Sequence, residues 1–423
     1  MLSEGSSTSA REAVTALGIA GHRVEIMDPN PFCIARYSRH VRRFHRCPGI
    51  ADDPQGYLEF VLDLVARDRF DVLVPIHEQG LVLATAREQI SRHTAIALPS
   101  FDSYGRALDK AAFSLLLTKL ALPQPETRIV TSIGRLREWR RFPIVVKAAL
   151  GTASRGVWQV SDRFSMQRAV AEIESGGGLV GPFLLQQFVD GQLERAQAVF
   201  AEGRLVGLHG WRRLAGGVGG GDCAKESVNR PLVREHLQQI GAALEWHGAL
   251  SVDYIVTADG RLPLYIDCNP RLVEPMACKL AGNDLADILL QVSIGESVPA
   301  PGAVPEGVRT HLAMQALLGA ADRNGSRLAV LREALCLMAG RGIYADSQEE
   351  LTPVRFDWPS AVPLVATVAM LLAMPSAAGR VAKTGWGSHL LVPESIQAMR
   401  NRIPGEAAEP ERSVSGMHLR RLR

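Results

Sequence analysis

Two short apolar runs joined by Ala258-Asp259-Gly260, within SVDYIVTADGRLPLYIDCNPRLVE at 251–274, constrain this chain more than any other stretch. Alternate side chains of a strand share a face, so Asp267 and Asn269, two apart on the second run, point the same way. The Asp-Gly turn folds the first run back along the second and brings Asp253 beside them, concentrating hard oxygen donors. Such a set suits Mg2+, which takes few protein carboxylates and completes its shell with water and phosphate oxygens, and Mn2+ accepts the same donors. Arg271, in the Asn-Pro-Arg turn that follows, offers a planar fork of donors to a phosphate or carboxylate. Glu274 is a further substrate candidate. An ordinary hairpin with polar residues on its wet face fits the same spacing.

A chain of 423 residues is longer than one domain, and about three is the expectation for that length. Its apolar fraction of 47% with 22% charged residues describes a globular protein with ample material for a core. The net charge of +3 argues against a nucleic-acid partner. The six cysteines include no C-x-x-C pair and no secretory leader is evident, which points to reduced thiols in a cytoplasm. The apolar stretch AVPLVATVAMLLAM at 361–374 is shorter than the roughly 20 residues a membrane span needs, so a buried helix is expected and no membrane partner.

Along the first hundred residues the pattern is strand, helix, strand. The tail of a strand at 1–3 runs through Glu4-Gly5-Ser6-Ser7 into a helix that Thr8 or Ser9 would cap, with Ala13, Val14 and Leu17 on one face and Gly21 at its end. Residues 22–27 and 70–76 read as strands, 57–67 and 80–90 as helices, an α/β alternation with a right-handed layer. Neither G-x-G-x-x-G nor G-x-x-x-x-G-K-S/T occurs, so neither a Rossmann site nor a P-loop is supported. The basic run RYSRHVRRFHR at 36–46 is either a solvated face or a rim that attracts an anionic substrate. His77 and Glu78 follow the second strand at its carboxyl end, where open α/β sheets bind ligands, and are substrate candidates.

Asp109-Lys110 opens a helix to 122, a strand follows at 127–130, and FPIVVKAALGTASRGVWQVSD at 142–162 reads as strand, small-residue loop and returning strand. Lys147 in the middle of an apolar strand is costly unless an anion meets it, and the loop 151–156 has backbone N–H groups to wrap a polyphosphate. The segment 209–230 is rich in glycine and reads as a mobile loop or as backbone packed close to a ligand, with Arg212, Arg213 and Lys225 as candidate substrate contacts.

Taken in order, D-K, P-I-V-V-K-A with a loop ending R-G, L-L-Q-Q-F-V-D-G, V-D-Y and Y-I-D-C-N-P-R resemble ATP-grasp enzymes, closest to the carbamoyl-phosphate-synthase and biotin-carboxylase branches, over about 3–296. The resemblance implies an N-terminal α/β domain (1–104) and an ATP-grasp domain of two α+β subdomains (105–305, with a lid at about 142–189); beyond it the residues read as a helix-rich region (306–404) and a polar, Pro-containing, disordered tail (405–423). It implies that Lys110 and Lys147 hold the nucleotide phosphates under Ser154 and Gly156, and that Gln186, Gln187, Phe188 and Val189 edge the adenine. Glu194 would reach the ribose, Asp253, Asp267 and Asn269 would carry Mg2+, and Arg271 would face the transferred phosphoryl group. Three departures stand out: Gln where many relatives have a hinge Glu, Glu194 one residue beyond the usual spacing from Gly191, and Asp267 in place of the more frequent Glu. The implied activity is an ATP-dependent ligase, ADP-forming, that activates a carboxylate as an acyl phosphate and joins it to an amine, in a chain for which a homodimer is compatible. A bicarbonate-using carboxylase or carbamoyl-phosphate-type enzyme, and a nucleotide-binding subunit without turnover, are the alternatives.

Overall fold

In a computed structural model the residues described are 1–151, 156–175, 182–258, 260, 262–384, 391, 395–396 and 399. The amino end starts as a strand of minimal length: Leu2 bridges Ile26 on one side and Val74 on the other, both in parallel. β1 (Val24–Asp28) pairs in parallel with β2 (Val41–Arg46). The α/β layer expected at the amino end is therefore present. Two details differ from expectation. The Thr8–Ile19 helix is capped by Ser7, whose side chain accepts from Ala10 N, and not by Thr8 or Ser9. The helix expected at 80–90 is broken into Gln79–Ala84 and Arg87–Ser91, where the Thr85 hydroxyl bonds back to Val82 O at 2.6 Å and competes with helix continuation.

The basic run does not reach the site described below. Arg36 lies over the Phe44 ring at 4.8 Å and Arg43 pairs with Asp68 at 3.3 Å, which makes it a polar outer face.

A four-stranded antiparallel sheet, in the order β3 (Thr127–Val130), β6 (Phe183–Gln187), β4 (Ile144–Ala148), β5 (Val157–Val160), forms a small subdomain. The helices Ile133–Glu138 and Arg163–Ser175 cover one face, and their Leu136, Met166 and Ile173 pack on Val146, Val160 and Phe183. Helix Lys110–Lys119 precedes it, capped by Asp109, which accepts from Ala111 N and Ala112 N.

The large sheet has seven strands in the order β11 (Pro263–Asn269), β10 (Gly248–Thr257), β7 (Gly191–Ala201), β8 (Arg204–Gly216), β9 (Asp222–Val228), β12 (Arg309–His311), β13 (Ser347–Glu349). Every pairing is antiparallel except β12 with β13. The expected loop at 209–230 is thus mostly strand. The glycines serve the turn between β8 and β9, where Gly219 and Gly220 have positive φ of 63° and 80°, values that β-carbons disfavour.

Beyond 305 the chain is not helical alone, because β12 and β13 extend the large sheet. The helices Ala313–Asn324, Arg327–Met338, Ala361–Ala373 and Ala377–Thr384 follow. The apolar helix expected to be buried is only partly so: Leu371 is its one buried residue, while Val362 and Val365 are exposed. Among the described residues no helix is long and apolar enough to cross a membrane. The tail at 405–423 lies outside the described residues.

Candidate active site

A cleft of about 640 Å3 opens between the small sheet and the large one. Its floor is the hairpin of β10 and β11, whose register sets Asp253 opposite Asp267 and Ser251 opposite Asn269, so three oxygen-bearing side chains come together as the spacing requires. Asp253, Asp267, Asn269 and Arg271 all line the cleft.

Two lysines from the other side converge on this floor. Lys147, on β4, donates to Ile266 O at 2.7 Å, and Lys110 donates to Gly151 O at 2.6 Å while standing 3.4 Å from Asp267 Oδ1. Burial pushes the Lys147 ammonium down to about 8, against the pull of Asp267, a perturbation of the kind that gathers at functional sites. Asp253 is buried. Its Oδ2 lies 3.2 Å from Arg195 Nε, and its Oδ1 has no hydrogen-bond partner among the described residues. Burial raises its carboxyl above the ordinary range, with Arg195 opposing. Arg271 is 7% exposed and its Nε likewise lacks a partner. Burial lowers it, and the charges of Glu78, Asp253 and Asp267 act against that. Arg271 N bonds to Asn269 O at 2.8 Å, and the Ser251 hydroxyl holds Arg271 O at 2.6 Å. The turn carrying the guanidinium is therefore fixed from both sides.

Gln186, Gln187, Phe188 and Val189 line the far end of the cleft at the exit of β6. The buried Gln186 donates to Thr127 Oγ1 at 3.0 Å. Gly156 accepts from Ala148 N at 2.7 Å with φ of +73°, closing the base of the small-residue loop. Ser154 lies outside the described residues.

Five expected contacts are placed elsewhere. Glu194 faces away from the cleft: its neighbours Leu193 and Arg195 line it, and Glu194, one step out of phase, is buried on the opposite face against Arg230, with Arg230 Nε at 2.9 Å. The one-residue offset from the usual spacing inverts the face, as strand periodicity dictates. Arg212 is on that outer face too, 2.9 Å from Glu226. His77 and Glu78 are buried behind the cleft wall, where His77 O accepts from Tyr104 and Glu78 from Leu391 N. Lys225 is buried between Glu274 and Glu350 and does not line the cleft. Arg213 does line it, tied to Asp222, and Glu274 lines it as well. Glu194→Gln is accordingly expected to change ATP affinity less than about threefold while lowering thermal stability, since weakening the charge-assisted hydrogen bonds from the part-exposed Arg230 to the buried Glu194 costs about 1–2 kcal/mol. Calorimetric titration and a melting curve on the same sample check both.

Arg195 and Asp222 line the cleft and were not among the residues expected from the sequence. Arg195 bridges Asp222 and Asp253. Burial opposes its charge, but Asp253 and Asp222 outweigh it and hold the guanidinium firmly protonated, while Asp222 is driven below the ordinary carboxylate range against its own burial by Arg195, Arg213 and Lys225. The signal was present: counting by two along the strand from Leu193, beside the hinge, puts position 195, and not 194, on the cleft face.

Among the described residues no three of His, Cys, Asp and Glu group as a metal site. A divalent cation here depends on two carboxylates, an amide and oxygens from a ligand, which is the Mg2+ manner of binding. The fit rests on the unpartnered Asp253 Oδ1 beside the cleft-facing Asp267.

No protein-family model matches the chain. It is 25% identical over 304 residues to the carbamoyl phosphate synthase large chain of Thermus thermophilus, covering 68% of this chain and 28% of that one. Two solved structures are similar: the biotin carboxylase domain dimer of Hydrogenobacter thermophilus 2-oxoglutarate carboxylase, in complex with MgADP, ADP and bicarbonate (TM-score 0.55, 16% identity, 73% of this chain and 72% of that one), and L-amino acid ligase from Bacillus licheniformis (TM-score 0.53, 16% identity, 69% and 73%). The chain has the ATP-grasp fold. The chain spans under a third of the length of the curated relative it matches.

Proposed function

We propose that this ATP-grasp chain is an ADP-forming ligase that activates a small carboxylic acid as its acyl phosphate and passes the acyl group to an amine. The observation that carries it is the meeting of Lys110, Lys147 and Asp267 at one point of a cleft whose other end is the β6 exit strand. Two ammonium groups with carboxylates beneath them suit a triphosphate with its divalent counter-ion and little else. Lys110 and Lys147 bind the phosphates, exchanging their present backbone acceptors for phosphate oxygens. The backbone of residues 186–189 edges the adenine, with Phe188 and Val189 giving an apolar surface. Asp253, Asp267 and Asn269 hold Mg2+ (or Mn2+), which when bound neutralises the β- and γ-phosphate oxygens.

Arg271 faces the acid. Its buried guanidinium neutralises charge on the incoming carboxylate and on the phosphoryl group in flight, a contribution that pre-organised donors make without rearrangement. No protein nucleophile is needed, since an amine displaces phosphate from the acyl phosphate directly. The finer domain plan follows: a lid at about 142–189 closing over nucleotide held on the large sheet, with the 1–104 layer on the acid side. A reduced compartment, the cytoplasm, suits six cysteines that are all unpaired, and a homodimer is compatible with a neighbour described as a domain dimer.

A bicarbonate-using reading is favoured by the likeness to carbamoyl phosphate synthase. Release of ADP from MgATP, followed with a panel of acids and amines, separates the readings. A ligase releases ADP only when both acid and amine are supplied; release on bicarbonate alone moves the assignment to carboxylase chemistry, and tight ATP binding without release under any condition moves it to a non-catalytic subunit.

A further inference from the structure

Lys225 is enclosed by three carboxylates from distant parts of the chain: Glu12 in the first helix, Glu274 ahead of the Pro275–Leu280 helix, and Glu350 just after β13. Its ammonium is 2.5 Å from Glu274 Oε2 and 2.9 Å from Glu350 Oε2. Glu12 has no exposed surface; its Oε2 accepts from Met276 N at 3.2 Å, and its Oε1 has no partner among the described residues. One ammonium among three carboxyls leaves the group short of positive charge. Burial answers the deficit by keeping protons on Glu12 and Glu350, which leaves Lys225 paired with the Glu274 carboxylate.

The group opens to the cleft only at Glu274. Lys225 takes its Oε2, and its carboxylate makes no other hydrogen bond among the described residues. Glu274 stands three residues after Arg271, whose Nε is also unpartnered, so one wall of the cleft presents a cation and then an anion. The same lining includes the apolar Ile34, Val273, Met314, Leu318 and Leu351, beside Ser6, Ser7 and Gln315.

We propose that the acid activated in this cleft is an α-amino acid with an apolar side chain, its carboxylate at Arg271, its ammonium at Glu274 and its side chain among Ile34, Met314, Leu318 and Leu351. This rests on the ligase reading above. An ammonium at Glu274 meets the carboxylate oxygen that Lys225 leaves open to the cleft, a contact that bicarbonate or a plain fatty acid cannot make. In the first step a carboxylate oxygen bonds to the γ-phosphorus as the bond from that phosphorus to the β–γ bridging oxygen breaks, and ADP leaves with the electron pair. The ammonium keeps its proton at Glu274 and is thereby barred from attacking its own or a second acyl phosphate, so the amine acceptor must be another molecule. Lys225 acts as a positioning residue, fixing the Glu274 carboxylate toward the cleft.

The test traps the acyl phosphate with hydroxylamine in the presence of MgATP, and measures kcat/KM for hydroxamate formation and ADP release with leucine, aspartate and 4-methylpentanoate, the last being leucine's skeleton without its ammonium. Leucine is expected to exceed both others by about tenfold or more, the discrimination that a site built around one buried polar contact gives. In Glu274→Gln protein the ratio of leucine to 4-methylpentanoate should fall to near one. A merely structural role for Glu274 would lower both rates together and leave the ratio unchanged. If that variant does not fold, the wild-type ratio decides. Equal rates with leucine and 4-methylpentanoate, a preference for aspartate, or turnover with bicarbonate alone overturns the proposal while ATP-dependent activation stands. Absence of both ADP release and nucleotide binding with every acid removes the ligase reading as well.

Discussion

Asp267→Ala protein is expected to fold normally and to lose ATP-dependent turnover by about a thousandfold, with Lys147→Ala close behind. Removing a single pre-organised charge-stabilising group typically costs about 100- to 1,000-fold in kcat, and Asp267 both meets Lys110 and shares the proposed cation site with Asp253. The structural cost is small. Asp267 is partly open to the cleft, with its side chain 27% exposed, and truncation there leaves no buried cavity. Lys147 is a desolvated ammonium whose hydrogen-bond partner among the described residues is a carbonyl, so its removal relieves a burial penalty. Melting temperatures within a few degrees of wild type, together with ADP release at background, are the expected pair of results. Undiminished turnover in either folded variant would refute the role given to that residue.

Lys225→Met should be the most destabilising single change in the molecule, at about 3–5 kcal/mol, because it strands buried carboxylates without their counter-ion. The loss should depend on pH in a defined direction. Burial pushes the Glu350 carboxyl up to about 8, with Lys225 pulling the other way. Between its ordinary value of 4.5 and that figure, the unfolded chain releases a proton that the native state keeps. Stability from this group is therefore complete below about 4.5 and is lost as pH rises through 8. Without Lys225 the carboxyls rise further, so the deficit relative to wild type should be small at about pH 5 and largest near pH 9. Urea denaturation of both proteins across that range measures it, and a deficit that does not vary with pH would count against the charge balance described.

Local periodicity made the floor of the cleft legible in the sequence. The turn at 258–260 and the period of two placed Asp253 opposite Asp267 with Asn269 on the same side, and the register agrees. Lys147 was legible because a lysine in an apolar strand demands an anion. Glu194 failed for the same physical reason that the others succeeded: a strand has two faces, and a one-residue offset selects the wrong one. The glycines at 216–221 suggested a loop or backbone close to a ligand; they lie at the turn between two long strands that pair through Arg213 with Lys225 and Gly210 with Val228, and Gly219, Gly220 and Gly221 line the cleft. The Glu12–Lys225–Glu274–Glu350 group could not be read at all. Its members lie up to 338 residues apart (350 minus 12), with no shared local pattern, and only the closing of the first helix, the large sheet and the segment after β13 onto one another brings them together.

The convergence of Lys110, Lys147, Asp253, Asp267 and Asn269 on one triphosphate is tested most directly by an experimental structure with Mg2+ and a non-hydrolysable ATP analogue. The expected result is a γ-phosphate bounded by both lysine ammonium groups and by a cation on Asp267 and Asn269, with the adenine against residues 186–189. A nucleotide bound elsewhere, or a cleft left empty at saturating nucleotide with Lys147 still on Ile266 O, would contradict it.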